Sequence, residues 1–212
     1  MAIYDLEEQE KLDALKAWWK DNGRTIILAV IAFAVALAGA QGWRHYKRTQ
    51  AMGAAALYGQ LLEGAQAKDP KKVQDAAAAI IKDYGSTGYA TLAALTAAKA
   101  SVDAGNLAAA KGSLTWAAEH APDEATRDIA RLRLAAVLFD EKRYEEALQK
   151  LDAKPAESMV PLYAEMKADI LTAQGKVAEA RAAYNLALDK LPLGGEYRNI
   201  VQLKLESLGE AR

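Results

Sequence analysis

The sequence has no cysteine, only two histidines (His45 and His120), and just five prolines and two phenylalanines among 212 residues. Without a thiol there can be no disulfide framework, thiolate metal site or cysteine nucleophile. Two isolated histidines exclude a His-rich zinc or iron centre, so neither metal nor cofactor is expected. An excess of charge is also missing. The 27 basic and 28 acidic side chains leave a formal net charge of −1, unlike a general nucleic-acid binder, which shows a basic excess. Neither a P-loop nor a G-x-G-x-x-G run is present, so no phosphate cradle is expected. Few prolines and abundant Ala, Leu, Glu and Lys point to an all-α protein.

Charge is absent altogether from one stretch. Between Arg24 and Arg44, residues 25–43 read TIILAVIAFAVALAGAQGW. As a helix these 19 residues extend about 29 Å, close to the ~30 Å hydrocarbon thickness of a bilayer. Trp18, Trp19, Trp43 and Tyr46 mark its edges together with Lys20, Arg24, Arg44, Lys47 and Arg48. Amphipathic rings prefer the headgroup level, and long cations reach from there to water. A buried core helix has no need of that collar at both ends. The expected interface anchors are therefore Trp18, Trp19, Arg24, Trp43, Arg44 and Tyr46, with membrane lipid as a contact. A cleaved signal peptide is the rival, because Ala38-Gly39-Ala40 has the A-x-A form. Signal n-regions are short and basic, whereas this leader has 24 residues and six acids, which favours a retained anchor. Four cations before the segment against three after it leave the orientation undecided by the positive-inside rule. The alanines 32, 36 and 40 share a helix face, as expected from composition alone.

The leader, residues 1–24, reads as a short amphipathic helix. Leu12, Leu15, Trp18 and Trp19 recur at helical spacing. Acids crowd its first turns, where the helix dipole favours them. Asn22-Gly23 is expected to break it before the span.

Residues 44–212 carry an internal repeat. Residues 105–122 read GNLAAAKGSLTWAAEHAP and residues 175–192 read GKVAEARAAYNLALDKLP. Aligning Gly105 with Gly175 brings Ala110 onto Ala180, Ala117 onto Ala187 and Pro122 onto Pro192. A third copy between them puts Tyr144 and Ala147 in the same places. This is the pattern of tetratricopeptide repeats, helix–turn–helix units of about 34 residues. Two antiparallel helices approach closely when small residues face one another. Ala98, Ala135 and Ala168 on the first helices are placed to meet Ala110, Ala147 and Ala180 on the second. Gly105 and Gly175 suit turns needing positive φ, and Pro122 and Pro192 end the second helices. Residues 51–66 and 71–84 form a less regular first pair, in which Val73, Ala76 and Ile80 echo the second-helix pattern without the glycine or proline. A last helix over 196–208 is expected to cap the stack. The expectation is a right-handed α-solenoid of about eight helices, held near the membrane.

No catalytic set emerges. His45 sits in WRHYKR and His120 at a helix end, neither within a triad motif. The carboxylates Asp123, Glu124, Asp128, Glu145 and Glu146 fall where helix starts and solvated faces want them. A carboxylate clamp for a peptide terminus would use Lys, Arg and Asn on the first helices. Lys99, Arg131 and Arg133 are available, but no Asn is, and the third helix adds Glu165 and Asp169. Arg131 and Arg133 therefore read as solvated charges. An interaction protein is expected, with no enzyme activity and no small-molecule substrate.

The chain resembles the YfgM-type ancillary subunits of the bacterial SecYEG translocon. The residues carrying the likeness are Ile3-Tyr4, Glu10, Leu15-Lys16, Trp18-Trp19, Asn22-Gly23, Gly42-Trp43 and Tyr46, followed by the repeats. The resemblance implies a single-pass protein of the bacterial inner membrane, with a cytoplasmic leader (1–24), a transmembrane helix (25–43) and a periplasmic repeat domain (44–212). It also implies partners: Sec translocon subunits and a membrane-anchored periplasmic chaperone of the PpiD type, to which emerging secreted proteins are handed. The alternative expectation is a tethered regulator whose N-terminal segment holds a cytoplasmic stress-response protein.

Overall fold

The computed structural model describes residues 2–209, with side chains from residue 8 onward. Side chains of Ile3 and Tyr4, named above, lie outside the described residues. Among the described residues there are helices and turns and no strand. The chain divides into two compact units, residues 1–50 and 51–212.

The described residues of the first unit, from Ala2, are all helical. They belong to α1 (Ala2–Gln66), which runs through Asn22-Gly23 instead of breaking there. The reason is local. A glycine inside a helix costs about 1 kcal/mol but does not forbid it. Asn22 turns its amide back to donate to the Trp18 carbonyl at 3.0 Å. Gly23 is buried under the Trp19 ring, where an added Cβ would lie 3.1 Å from Cε2. The expected breaker is thus the site of a close ring-to-backbone contact. An 18-residue window of α1 has mean hydropathy 2.1, and none of it is buried within the protein. Val30, Ile31, Phe33 and Val35 each expose more than half their surface. A core helix would hide these side chains, so this helix is long and apolar enough to cross a membrane.

The second unit begins with residues 51–66 of α1 and continues through α2 (Pro70–Tyr84), α3 (Gly88–Asp103), α4 (Leu107–His120), α5 (Glu124–Asp140), α6 (Tyr144–Lys150), α7 (Val160–Ala173), α8 (Val177–Lys190) and α9 (Glu196–Ser207). A 3₁₀ turn, Glu157–Met159, leads into α7. Helices adjacent in sequence pack against each other, as in a stack of hairpins.

Four of the turns share one geometry. Lys68, Gly105, Lys142 and Gly175 all have positive φ, between 53° and 74°. In each, the next amide reaches back five residues: Asp69 to Gly64 at 2.9 Å, Asn106 to Ser101 at 2.8 Å, Arg143 to Leu138 at 2.9 Å and Lys176 to Leu171 at 2.9 Å. These are Schellman closures, which satisfy the last free carbonyls of a helix. Glycine adopts that conformation without strain, whereas lysine does so at a cost of ~1 kcal/mol. There are thus four hairpins in register, the first made by residues 51–66 and α2.

Small residues sit where helices approach. Ala110, Ala117, Ala135, Ala147, Ala168, Ala180 and Ala187 have no exposed surface, and Ala98 has 2%. Tyr144 packs on the central cluster, its ring 5.8 Å from that of Phe139. Pro122 follows the end of α4 and Pro192 the end of α8, each one residue past the cap. The first hairpin uses a different solution. Leu61 and Val73 stand at the positions held elsewhere by Ala pairs, and both are fully buried. The close approach moves one turn on to Gly64, whose added Cβ would meet Val73 N at 3.2 Å.

Starts are capped as their residues dictate. Asp69, Asn106 and Asp123 accept the amides of Lys72, Ala109 and Thr126 at 3.0, 3.1 and 2.8 Å.

Candidate functional site

The alanine-rich α3 helix borders two concave surfaces. Its small side chains let α2, α4 and α5 close in, and two hollows open beside it. One, of about 600 Å³, lies between the first hairpin turn and α3, over Gly64, Val73 and Ala100. The other, of about 310 Å³, lies between α3 and α5, over Ala98, Leu114 and Val137. Lys99 and Asp103 line both and form an exposed ion pair at 2.8 Å across the ridge. Leu92 and Val102 are exposed on the same helix. Charges rim the hollows in both signs: Lys68 and Asp69 on one, Arg133 and Asp140 on the other. Apolar floors with mixed-charge rims suit side chains of a polypeptide more than a single small ion.

Beyond α5 the carboxylates are already engaged. Asp128 is completely buried, which corrects its reading as a solvated acid. Its Oδ2 accepts the Ala156 amide at 2.8 Å, and Oδ1 accepts from Arg131 at 3.0 Å and from the Tyr163 hydroxyl at 3.3 Å. Arg131 is therefore no free surface charge: it belongs to this buried clasp, whereas Arg133 is exposed at a hollow's rim. The clasp holds the loop after α6, a seven-residue helix, where the second and fourth hairpins have a helix-ending proline.

Glu165 and Asp169 on α7 do not face an open groove. Lys204 of α9 donates to Glu165 at 2.7 Å and to Asp169 at 2.6 Å. Tyr184 donates to Asp169 at 2.5 Å, and Tyr197 to Glu165. Burial pulls the Lys204 ammonium down, but hydrogen bonds and charge from Asp169 and Glu165 outweigh it and raise its pKa above the ordinary 10.5. Burial, then the Asp169 hydrogen bond, pushes the Tyr184 hydroxyl up to about 12. The cap is locked onto α7 by these contacts. Sequence reasoning missed them because Lys204 lies 39 residues from Glu165.

The expected interface residues all lie on α1. Trp18, Trp19, Trp43 and Tyr46 are more than half exposed, and Arg24 and Arg44 are exposed beside them. Trp43 and Tyr46 stack at 5.9 Å, and Lys47 lies 5.5 Å from the Trp43 ring. His120 stacks on Trp116 at 4.7 Å, with Nδ1 2.9 Å from the Trp116 carbonyl. Among the described residues no group of three His, Asp or Glu is placed to hold a metal ion.

A family model described as a tetratricopeptide repeat-like domain matches residues 16–210. Relatives match nearly end to end. A Neisseria gonorrhoeae protein named "Ancillary SecYEG translocon subunit" is 33% identical over 204 residues, covering 96% of this chain and 98% of its own. Proteins of the same name are 32% identical in Haemophilus influenzae, covering 87% of this chain and 90% of theirs, and 26% identical in Escherichia coli, covering 98% and 99%. The chain belongs to the YfgM-type family of ancillary SecYEG translocon subunits. Membership does not rest on generic repeats. The family match begins inside the leader, at residue 16, and takes in the apolar segment and all four hairpins together. The hollows beside α3 and the locked cap on α7 therefore belong to a YfgM-type repeat domain.

Proposed function

We propose that this chain is a single-pass inner-membrane protein that associates with the Sec translocon and helps pass secreted proteins to a periplasmic chaperone of the PpiD type. The leader (1–24) lies in the cytoplasm, 25–43 spans the membrane, and 44–212 stands in the periplasm. The reading rests most on the end-to-end likeness to proteins named as translocon subunits. The exposed apolar face of α1 supports it. Trp18, Trp19 and Arg24 hold one headgroup layer; Trp43, Arg44 and Tyr46 hold the other. The role is non-catalytic. Tethering keeps the repeat domain at high local concentration beside the channel, so weak contacts in the α3 hollows suffice for transient capture.

Photo-cross-linkers placed at Val102 and at Lys82, which lies outside the hollows, test the reading in native membranes. Adducts to a translocating chain or to a periplasmic chaperone from Val102, and not from Lys82, support it. Equal labelling from both positions, or adducts to neither class, contradicts it.

A further inference from the structure

No acidic residue occurs between Asp21 and Glu63. The only cations in that interval are Arg24, Arg44, Lys47 and Arg48, so three of the four follow the apolar segment within its next five residues. With a helix advancing about 100° per residue, Lys47, Arg44 and Arg48 fall within an arc of roughly 100°. They also fall within about 6 Å along the axis. Trp43 lies about 40° before Lys47 around the helix, with Lys47 5.5 Å from its ring. Tyr46 stacks on its far side at 5.9 Å. His45 falls about 60° beyond Arg48, outside the arc, by the same geometry.

All of residues 43–48 are exposed, and among the described residues neither Arg44, Lys47 nor Arg48 has a carboxylate partner. The other end of the segment is unlike this. Lys16 is paired with Asp13 at 3.1 Å, and Asp21 lies between Lys20 and Arg24 in sequence.

We propose that Trp43, Arg44, Lys47 and Arg48 form a headgroup site selective for anionic phospholipid. The proposal rests on residues 25–43 spanning the membrane. Clustered cations at the edge of a span attract acidic lipid, each contributing on the order of fivefold, and guanidinium groups fork onto phosphate oxygens. The Trp43 ring fixes the depth at which the phosphate meets the arc. The site is one-sided in net charge: residues 1–24 hold six acids against four cations, whereas residues 44–50 hold three cations and no acid.

The test uses the full chain reconstituted in phosphatidylcholine bilayers and in bilayers containing phosphatidylglycerol, with spin-labelled lipids of both kinds as probes. Resistance to alkaline extraction reports insertion separately. The expected result is insertion in both bilayers, with labelled phosphatidylglycerol held at least about fivefold more strongly than labelled phosphatidylcholine. High salt lowers the preference, excess inorganic phosphate does not abolish it, R44Q/K47Q/R48Q removes it, and K20Q/R24Q leaves it. Equal association of both lipids with the inserted chain overturns the site. So does a preference that survives R44Q/K47Q/R48Q, which places the lipid contact elsewhere on the chain. A chain extracted from both bilayers overturns the span itself, and the proposal with it.

Discussion

Tyr163 donates its hydroxyl to Asp128 at both the backbone carbonyl, 3.1 Å away, and the carboxylate, 3.3 Å away. Both residues are buried, and the bonds join α5 to α7 across the loop that follows the shortest α-helix of the repeats. Asp128→Ala strands the Ala156 amide, the Arg131 guanidinium and the Tyr163 hydroxyl together. Breaking a buried charged set by removing one member costs about 3–5 kcal/mol. Tyr163→Phe removes one hydroxyl and costs about 1 kcal/mol. Urea unfolding of the detergent-solubilised chain followed by circular dichroism checks this order.

The four left-handed turns make a paired prediction of opposite sign. Gly105→Ala and Gly175→Ala introduce a Cβ at positive φ and lower stability by about 1 kcal/mol. Lys68→Gly and Lys142→Gly relieve the same strain and raise it by a similar amount. No added Cβ at Gly105 or Gly175 would meet an atom within 4 Å, so the loss measures backbone conformation and not crowding. Thermal melts of the four variants decide it.

The cap predicts alkaline sensitivity. Tyr184 holds its proton up to about 12, against an ordinary 10.0, while the unfolded chain releases it near the ordinary value. The folded state therefore keeps more protons than the unfolded state in that interval, and stability falls as pH rises through it. The contribution is complete below about pH 10 and gone above about pH 12. Lys204, raised above 10.5, acts with the same sign. A pH series should show a plateau, then loss over that window, with tyrosinate absorbance and α9 protease sensitivity rising together. Tyr184→Phe with Lys204→Met makes the loss shallower, and Tyr197 and Tyr163, whose hydroxyls burial also pushes up, contribute the remainder with the same sign.

Tight helix crossings predict overpacking. Ala135 and Ala147 are fully buried in the central cluster. Replacing either with Leu forces the hairpin apart and costs about 1–3 kcal/mol. The same change at exposed Ala56 leaves the melting temperature unmoved.

Much of this architecture is legible in residue order because its constraints are local. Alanines at helix crossings, Gly105 and Gly175 at positive φ, and Pro122 and Pro192 past helix ends mark the later repeats in one dimension. The first hairpin is harder to read. It places Lys68 where glycine is expected and shifts its small residue to Gly64, so its turn is visible only as a hydrogen-bond pattern. Asn22-Gly23 misleads for the converse reason: two residues with turn character are kept helical by a side-chain bond to Trp18 and by the Trp19 ring. The Asp128 clasp and the Lys204 lock join residues far apart in sequence. Nothing in the local pattern separates Asp128 from the solvated acids around it. The α3 hollows depend on neighbouring helices and emerge only once the hairpins are stacked.

We propose a repeat domain held beside the secretion channel by one span. Affinity purification of the full chain from native membranes in mild detergent tests it most directly. The expected result is a chain that fractionates with the membrane, resists alkaline extraction and brings Sec translocon subunits with it. A chain recovered in the aqueous fraction, or one solubilised from membranes with no translocon subunit attached, would contradict it.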